Sequence, residues 1–96
     1  MKIIHDTREQ APFTFVGYDC EVMAGTLTTG DYSLAGLTDR CAVERKSLDD
    51  LLLCLGRERE RFERELQRAA ALSAFIVVVE APWSDLASGN YRSKLN

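Results

Sequence analysis

Six consecutive residues, Ala74-Phe75-Ile76-Val77-Val78-Val79, constrain the fold of this chain more than any other segment. β-Branched and aromatic residues favour extended backbone, and an unbroken apolar run of this length is typical of a strand that is covered on both faces. The run therefore predicts a central, fully buried strand. Only a polar segment, Ser84 to Asn96, comes after it, so we expect the natural domain to continue past Asn96.

A long amphipathic segment precedes this strand. Ser47 is placed to cap a helix, and the acidic pair Asp49 and Asp50 follows where the helix dipole favours negative charge. Apolar residues then recur at helical spacing; they are Leu48, Leu51, Leu52, Leu55, Phe62, Leu66, Ala69 and Ala70. The pattern predicts one long helix, broken or bent at Gly56, that covers the sheet.

The first half of the chain has the composition of short strands. Strands are predicted at Lys2 to His5, Asp31 to Ala35 and Cys41 to Lys46, and Glu21 to Met23 with Thr26-Leu27 form a further extended region that is interrupted by a bulge or bend at Gly25. Gly36, Thr38 and Asp39 lie between the last two strands, which indicates a hairpin. Strands followed by a helix and another strand predict an α/β fold with a mixed β-sheet, formed as a single domain over residues 1–96.

Composition narrows the class of protein. A hydrophobic share of 46% suffices for a packed core, and a net charge of −3 argues against a protein that coats nucleic acid through a broad basic surface. It does not exclude a nuclease, whose metal site needs carboxylates. The three cysteines have no metal-ligand spacing, and neither a signal peptide nor an apolar run of about 18 residues is present, so we expect a cytoplasmic protein without a membrane span.

The hairpin brings acidic residues together. If its turn is centred between Leu37 and Thr38, Asp31 lies opposite Glu44 on the neighbouring strand. Lys46 projects from the same face as Glu44, whereas Arg45 projects from the other. Opposed carboxylates repel each other unless a cation compensates, and Mg²⁺ prefers such oxygen ligands. A bound cation with Lys46 beside it suits phosphodiester hydrolysis, although a solvated cross-strand ion pair would also explain a Glu-x-Lys strand.

A wider pattern surrounds these residues. It comprises Asp6-x-Arg8-Glu9, Gly30-Asp31-Tyr32, Glu44-Arg45-Lys46 and then Asp50. In this order and spacing it resembles the excision-repair cross-complementing group four nuclease domain, the family of the XPF-type structure-specific endonucleases and the archaeal Hef nuclease. The resemblance spans Ile3 to about Glu80.

The resemblance implies a restriction-endonuclease-like core that uses Mg²⁺ or Mn²⁺ to cut branched or flap-like DNA. It places metal binding on Asp31 and Glu44 and catalysis on Lys46, and the middle position, Arg45, can offer its backbone carbonyl to the metal. Asp6, Arg8 and Asp50 match further residues that shape the site, and Arg8, Arg45 and Arg61 are the predicted DNA contacts.

The chain also departs from this family. Family members carry a tandem helix-hairpin-helix module and dimerise, so a homodimer is expected of the full-length protein. The final strand and helix elements of the nuclease fold are not found in these 96 residues, which leaves open whether they are active alone. The Thr7-Arg8-Glu9 opening looks more like a stand-alone bacterial or phage version.

Several residues have a plainer interpretation. Asp50 can serve only the helix start, and His5 can be an ordinary packed or surface imidazole. Glu80 can join the site from the end of its strand, and Trp83 and Tyr91 can stack on bases or pack the end of the fold. Arg57, Arg61, Arg64 and Arg68 form a helical stripe that tracks DNA or pairs with neighbouring glutamates, while Arg59 falls near the apolar face.

Three functions remain open from these residues. The first is a metal-dependent endonuclease. The second is a catalytically inactive DNA-binding or dimerisation scaffold of the same fold. The third is a plain α/β interaction domain in which Glu44 and Lys46 are surface charges.

Overall fold

The computed structural model describes residues 1–88, in which five strands form one mixed sheet. The strands are β1 (Lys2–Asp6), β2 (Glu21–Gly25), β3 (Tyr32–Leu34), β4 (Cys41–Lys46) and β5 (Ala74–Val79). They lie in the order β2-β1-β3-β4-β5, with β1–β2 and β4–β5 parallel and the two inner pairs antiparallel. The predicted α/β class with a mixed sheet is confirmed.

The hairpin of β3 and β4 has the register that the sequence predicts. Tyr32 pairs with Val43, as a turn centred between Leu37 and Thr38 requires. The side chains of Glu44 and Lys46 therefore lie on one face of the sheet, and those of Tyr32 and Arg45 lie on the other.

The predicted long helix is two helices, α1 (Leu48–Leu55) and α2 (Arg59–Ala69), because the chain turns at Gly56. The Gly56 N–H donates to the carbonyls of Leu52 and Leu53, which ends α1. Ser47 caps α1 as predicted, its hydroxyl accepting the N–H of Asp50 at 3.1 Å. The turn also resets the helical phase, so Arg59 starts α2 and is exposed, with its Nε 3.0 Å from Oε1 of Glu63.

The prediction of a central strand buried on both faces is wrong for β5, which is an edge strand beside β4. Pairing of Glu44 with Val77 puts Val77 on the helix-covered face, and Ile76 and Val78 on the other. Ile76 remains 57% exposed and Val78 41% exposed. β-Branched residues favour extended backbone, and they do so whether one or both faces of the strand are covered.

A short helix, α3 (Trp83–Ser88), follows β5. Buried apolar residues lie mainly under α1 and α2 and at the hairpin; they include Leu27, Tyr32, Ala42, Leu52, Cys54 and Ala69. Among the described residues, no helix has the length and apolar character that crossing a bilayer requires.

Candidate active site

A cavity of about 600 Å³ lies where the hairpin meets α1 and α2. Seven of the side chains that line it are acidic and four are basic. Asp31, Glu44 and Lys46 all line it, so the three residues on which the sequence prediction depends are brought together. Such an excess of acid makes the cavity attractive to a cation.

Asp31 is held in place largely by backbone groups. Its Oδ2 accepts the N–H of Arg45 at 2.7 Å, and its own N–H donates to the Val43 carbonyl at 2.8 Å. The preceding residue, Gly30, has φ +82°, and a Cβ there would lie 2.9 Å from the Ala42 Cβ and 3.1 Å from the Val43 oxygen. Glycine is therefore needed before the aspartate because the backbone turns left-handed directly against β4.

Glu44 is only 7% exposed. Burial raises its pKa to about 10, helped by the neighbouring carboxyl groups of Glu65 and Asp31. Without a cation, Glu44 is accordingly protonated at neutral pH. A divalent ion bound here would take the place of that proton.

Glu65 is a member of the site that the sequence prediction missed. It reaches the cavity from α2, and its Oε1 is buried without a hydrogen-bond donor. The sequence suggested that the arginine stripe pairs with neighbouring glutamates, but among the described residues neither Arg61 nor Arg68 forms an ion pair with Glu65. The helical spacing of Arg61, Glu65 and Arg68, which all line the cavity, was the available signal.

Lys46 lies beside the acidic pair, with its Nζ 5.6 Å from the centroid of the Phe62 ring. Burial by itself would lower the pKa of Lys46. Attraction to Glu44, which is ionised in the pH range where Lys46 would lose its proton, outweighs burial and raises it, with smaller contributions from Cys54 and Glu65. Lys46 is therefore an ammonium group at neutral pH and acts as a hydrogen-bond donor.

Asp6 and Arg8 form the edge of the cavity. Asp6 is buried, and its carboxylate accepts the Leu27 N–H at 2.9 Å and Arg8 Nε at 2.6 Å. The hydrogen bond from Arg8, opposed by burial and reinforced by the Leu27 N–H, lowers the pKa of Asp6 to about 2. Asp6 thus anchors Arg8, whose side chain stays 73% exposed.

The helices contribute Asp50 from α1 and Arg61 and Arg68 from α2. Asp50 lines the cavity, and its N–H donates to the Ser47 hydroxyl, so this residue belongs both to the site and to the helix start. Arg57 and Arg64 do not line the cavity, so the predicted arginine stripe is divided between the site and other surfaces.

Arg45 lies on the face that strand alternation predicts, and this keeps its side chain away from the catalytic and DNA-contacting roles that were expected of it. Its guanidinium lies on the opposite face of the sheet, where it pairs with Glu80 and donates to the Ala11 carbonyl at 2.6 Å. Neither Arg45 nor Glu80 lines the cavity. The suggestion that Glu80 joins the site fails because its side chain turns toward Arg45.

The other residues singled out in the sequence are also outside the cavity. His5 places its Nδ1 3.2 Å from the Asp6 carbonyl oxygen, which suits the plainer interpretation of that residue. Trp83 is 76% exposed, so it does not pack the end of the fold. Tyr91 lies outside the described residues.

The donor set suits Mg²⁺ or Mn²⁺. Residues 1–88 contain no group of three or more His, Cys, Asp or Glu side chains arranged to hold a metal. Mg²⁺ does not require one, because it is commonly bound through one or two carboxylates together with water and substrate phosphates. Asp31 and Glu44 provide such a pair, and the pKa of Glu44 is raised by burial and by the neighbouring carboxyl groups, so the ionised pair would gain from added positive charge.

Comparison with known proteins adds one finding. The family model described as the ERCC4 domain matches residues 5–96, a range that contains Asp6, Arg8 and all the motif residues through Asp50. Comparisons with curated proteins and with solved structures found no match. With almost its whole length matched, the chain belongs to the ERCC4 domain family, which comprises nucleases of DNA repair and recombination.

Proposed function

We propose that this protein is a Mg²⁺- or Mn²⁺-dependent endonuclease that hydrolyses phosphodiester bonds in branched or flap-like DNA. The observation that carries the proposal is the convergence of Asp31, Glu44 and Lys46 in one cavity whose charge is predominantly acidic. The preference for branched DNA rests on the family resemblance alone.

The acidic excess is the reason to expect a cation. A DNA phosphate brought to this cavity meets seven acidic and four basic side chains, so approach is unfavourable until positive charge is added. Asp31 and Glu44 are the residues that would hold it. When bound, a divalent ion supplies Lewis acidity toward a phosphoryl oxygen and makes a bound water more acidic.

The protein's own residues then orient the reactants. The Lys46 ammonium is placed to donate to the attacking water or to a phosphate oxygen, where it balances the charge that develops during the reaction. Arg8, fixed by Asp6, offers a preorganised donor at the cavity edge for a neighbouring phosphate. Arg61 offers a second donor from α2.

Cleavage of labelled flap and junction DNA tests the proposal. Asp31→Asn and Lys46→Met are each expected to lower kcat by roughly 10²- to 10³-fold, the usual effect of losing one charge-stabilising group. Asp39→Asn and Lys2→Met are matched controls, because both residues are exposed and outside the cavity, and they should cut at the wild-type rate. Wild-type cleavage by either site variant would refute the assignment.

Thermal unfolding separates the nuclease from an inert scaffold. A cation that binds only the folded protein should add about 2.7 kcal/mol of stability at about 100 times its Kd. Asp31→Asn should abolish most of this gain. A wild-type protein that neither gains stability nor cuts DNA would instead favour the inactive scaffold.

Homodimerisation of the full-length protein also belongs to this proposal, on the strength of the resemblance alone. Sedimentation velocity over a range of protein concentrations tests it. A single monomeric species at every concentration would contradict it.

A further inference from the structure

Arg45 connects its own strand to three other parts of the chain on the face of the sheet opposite the cavity. Its guanidinium pairs with Glu80 after β5, donates to the Ala11 carbonyl at 2.6 Å and lies 3.9 Å from the centroid of the Phe13 ring. Its Nη1 is also 3.4 Å from the Tyr32 hydroxyl on β3. Only 19% of the side chain is exposed, so this guanidinium is already occupied by protein groups.

Glu80 holds two consecutive residues of β4. Its backbone N–H donates to the Lys46 carbonyl at 2.8 Å, and its carboxylate binds the Arg45 guanidinium through both nitrogens Nε and Nη2. Two parallel hydrogen bonds of this kind fix orientation as well as distance. Glu80 therefore sets the end of β4, where Lys46 faces the cavity.

The segment 7–15 passes from the cavity to this opposite face. Arg8 and Glu9 line the cavity at its start, and Phe13 packs on Tyr32 with ring centroids 5.6 Å apart. The Phe13 N–H donates to the Tyr32 hydroxyl at 3.0 Å. Because Arg45 contacts both ends of this stretch, including Glu9 Oε2 at 3.8 Å, it fixes the position from which Arg8 reaches the cavity.

Arg45 also acts on the cavity through its backbone. Its N–H is the donor that holds Asp31 Oδ2 at 2.7 Å. A shift of Arg45 would thus move the Asp31 carboxylate just before β3, the ammonium group of Lys46 on β4 and the segment that bears Arg8. Displacements of about 1 Å at a reacting centre cost roughly 10²-fold in rate.

We propose that Arg45 and Glu80 are positioning residues for the cavity on the other side of the sheet, and that Arg45 does not contact DNA. The inference rests on the proposed nuclease function. In this inference Glu80 supports catalysis by positioning other residues and does not contact the substrate.

The test compares Arg45→Met, Glu80→Gln and the double variant with wild type. Each is measured for kcat and KM on flap DNA, and for the salt dependence of DNA affinity with Ca²⁺ in place of Mg²⁺. Both single variants should lose roughly 10- to 100-fold in kcat, and the double variant should be no slower than the slower single one, because the two residues act as a unit. KM should stay within about twofold of wild type.

The salt dependence separates positioning from DNA contact. When a protein loses an arginine that neutralises a phosphate, the negative slope of log affinity against log salt becomes less steep by about 0.9. Arg61→Met, which removes a predicted DNA contact, should show this loss, whereas Arg45→Met should keep the wild-type slope. A less steep slope for Arg45→Met, or an unchanged kcat for Glu80→Gln, overturns the inference.

Two further outcomes are distinguishable. If Arg45→Met does not fold, Glu80→Gln decides the question, because it leaves the guanidinium on Phe13 and Ala11. A wild-type protein that does not cut DNA would refute the proposed function itself. Active wild type with fully active variants would refute only the positioning role.

Discussion

Neighbouring groups shift the pKa values of the buried carboxyl groups Glu44 and Asp6 in opposite directions. Glu44 is buried next to two other carboxyl groups, which disfavours its charged form, while Asp6 is also buried but receives hydrogen bonds from Arg8 and Leu27. In the absence of a cation, the carboxyl group of Glu44 therefore keeps its proton at neutral pH, whereas that of Asp6 is ionised. Donors aimed at the carboxylate decide which of the two results.

Glu44 should make the metal-free protein less stable as pH rises. Its pKa of about 10 in the folded state exceeds the unfolded value, so the folded protein keeps a proton that the unfolded chain releases. Stability is full below about pH 4.3 and falls toward pH 10, by at most about 1.4 kcal/mol per pH unit. Glu44→Gln should flatten this dependence in urea unfolding with EDTA at pH 5, 7 and 9. If the free energy of unfolding of Glu44→Gln and of wild type changed equally with pH, the raised pKa of Glu44 would be contradicted.

Gly30 should not tolerate a side chain. Gly30→Ala puts a Cβ at φ +82° and 2.9 Å from the Ala42 Cβ, so we expect a loss of about 2–4 kcal/mol from backbone strain and overpacking. Gly17→Ala is the control, since its φ is +90° but nothing lies within 4 Å of its Cβ, and it should show the strain alone. Urea unfolding measures both, and equal losses would mean that the contact with β4 is relaxed.

At the scale of elements, the break between the two helices and the position of β5 determine which side chains reach the cavity. Gly56 divides the predicted helix, and this division lets α1 present Asp50 and α2 present Arg61 to the same cavity. β5 pairs with β4 in parallel and anchors Lys46 through Glu80, although one of its faces remains exposed. β5 therefore contributes to the site by fixing the position of β4 along the sheet. Its apolar composition alone does not predict this role.

The two faces of β5 should respond differently to the same substitution. Ile76→Thr changes an exposed side chain and should cost no more than about 0.5 kcal/mol. Val77→Thr introduces a hydroxyl on the face shared with Glu44 and should cost about 1–3 kcal/mol. Chemical denaturation measures both. Equal and large costs would mean that the strand is covered on both faces, as its sequence alone suggests.

At the scale of the molecule, a net charge of −3 and an acidic cavity oppose binding to a polyanion. Arg8, Arg61 and Arg68 provide local positive charge, but they stand around carboxylates. Under the proposed function, DNA binding near this site would depend on a cation held by these carboxylates.

DNA affinity should therefore rise with a divalent cation that does not support cleavage. We expect Ca²⁺ to tighten binding of flap DNA by roughly tenfold over EDTA at the same ionic strength, since one added charge interaction of about 1.4 kcal/mol suffices. Fluorescence anisotropy measures the effect, and Asp31→Asn should remove it. Equal affinity with and without Ca²⁺ would place DNA binding away from this cavity.

The sequence by itself determined the local features, because they depend on neighbours along the chain. Strand periodicity and the turn residues set the hairpin register, so the facing of Asp31 and Glu44 followed from spacing, and the cap at Ser47 followed from residue type. Only the tertiary structure decided which segments met. Glu65 joined the site through the packing of α2, and Arg45, already on the opposite face by strand alternation, found Glu80 and Phe13 as partners there. Contacts between distant segments depend on how helices and strands pack against one another. The spacing of residues along the chain does not determine this packing.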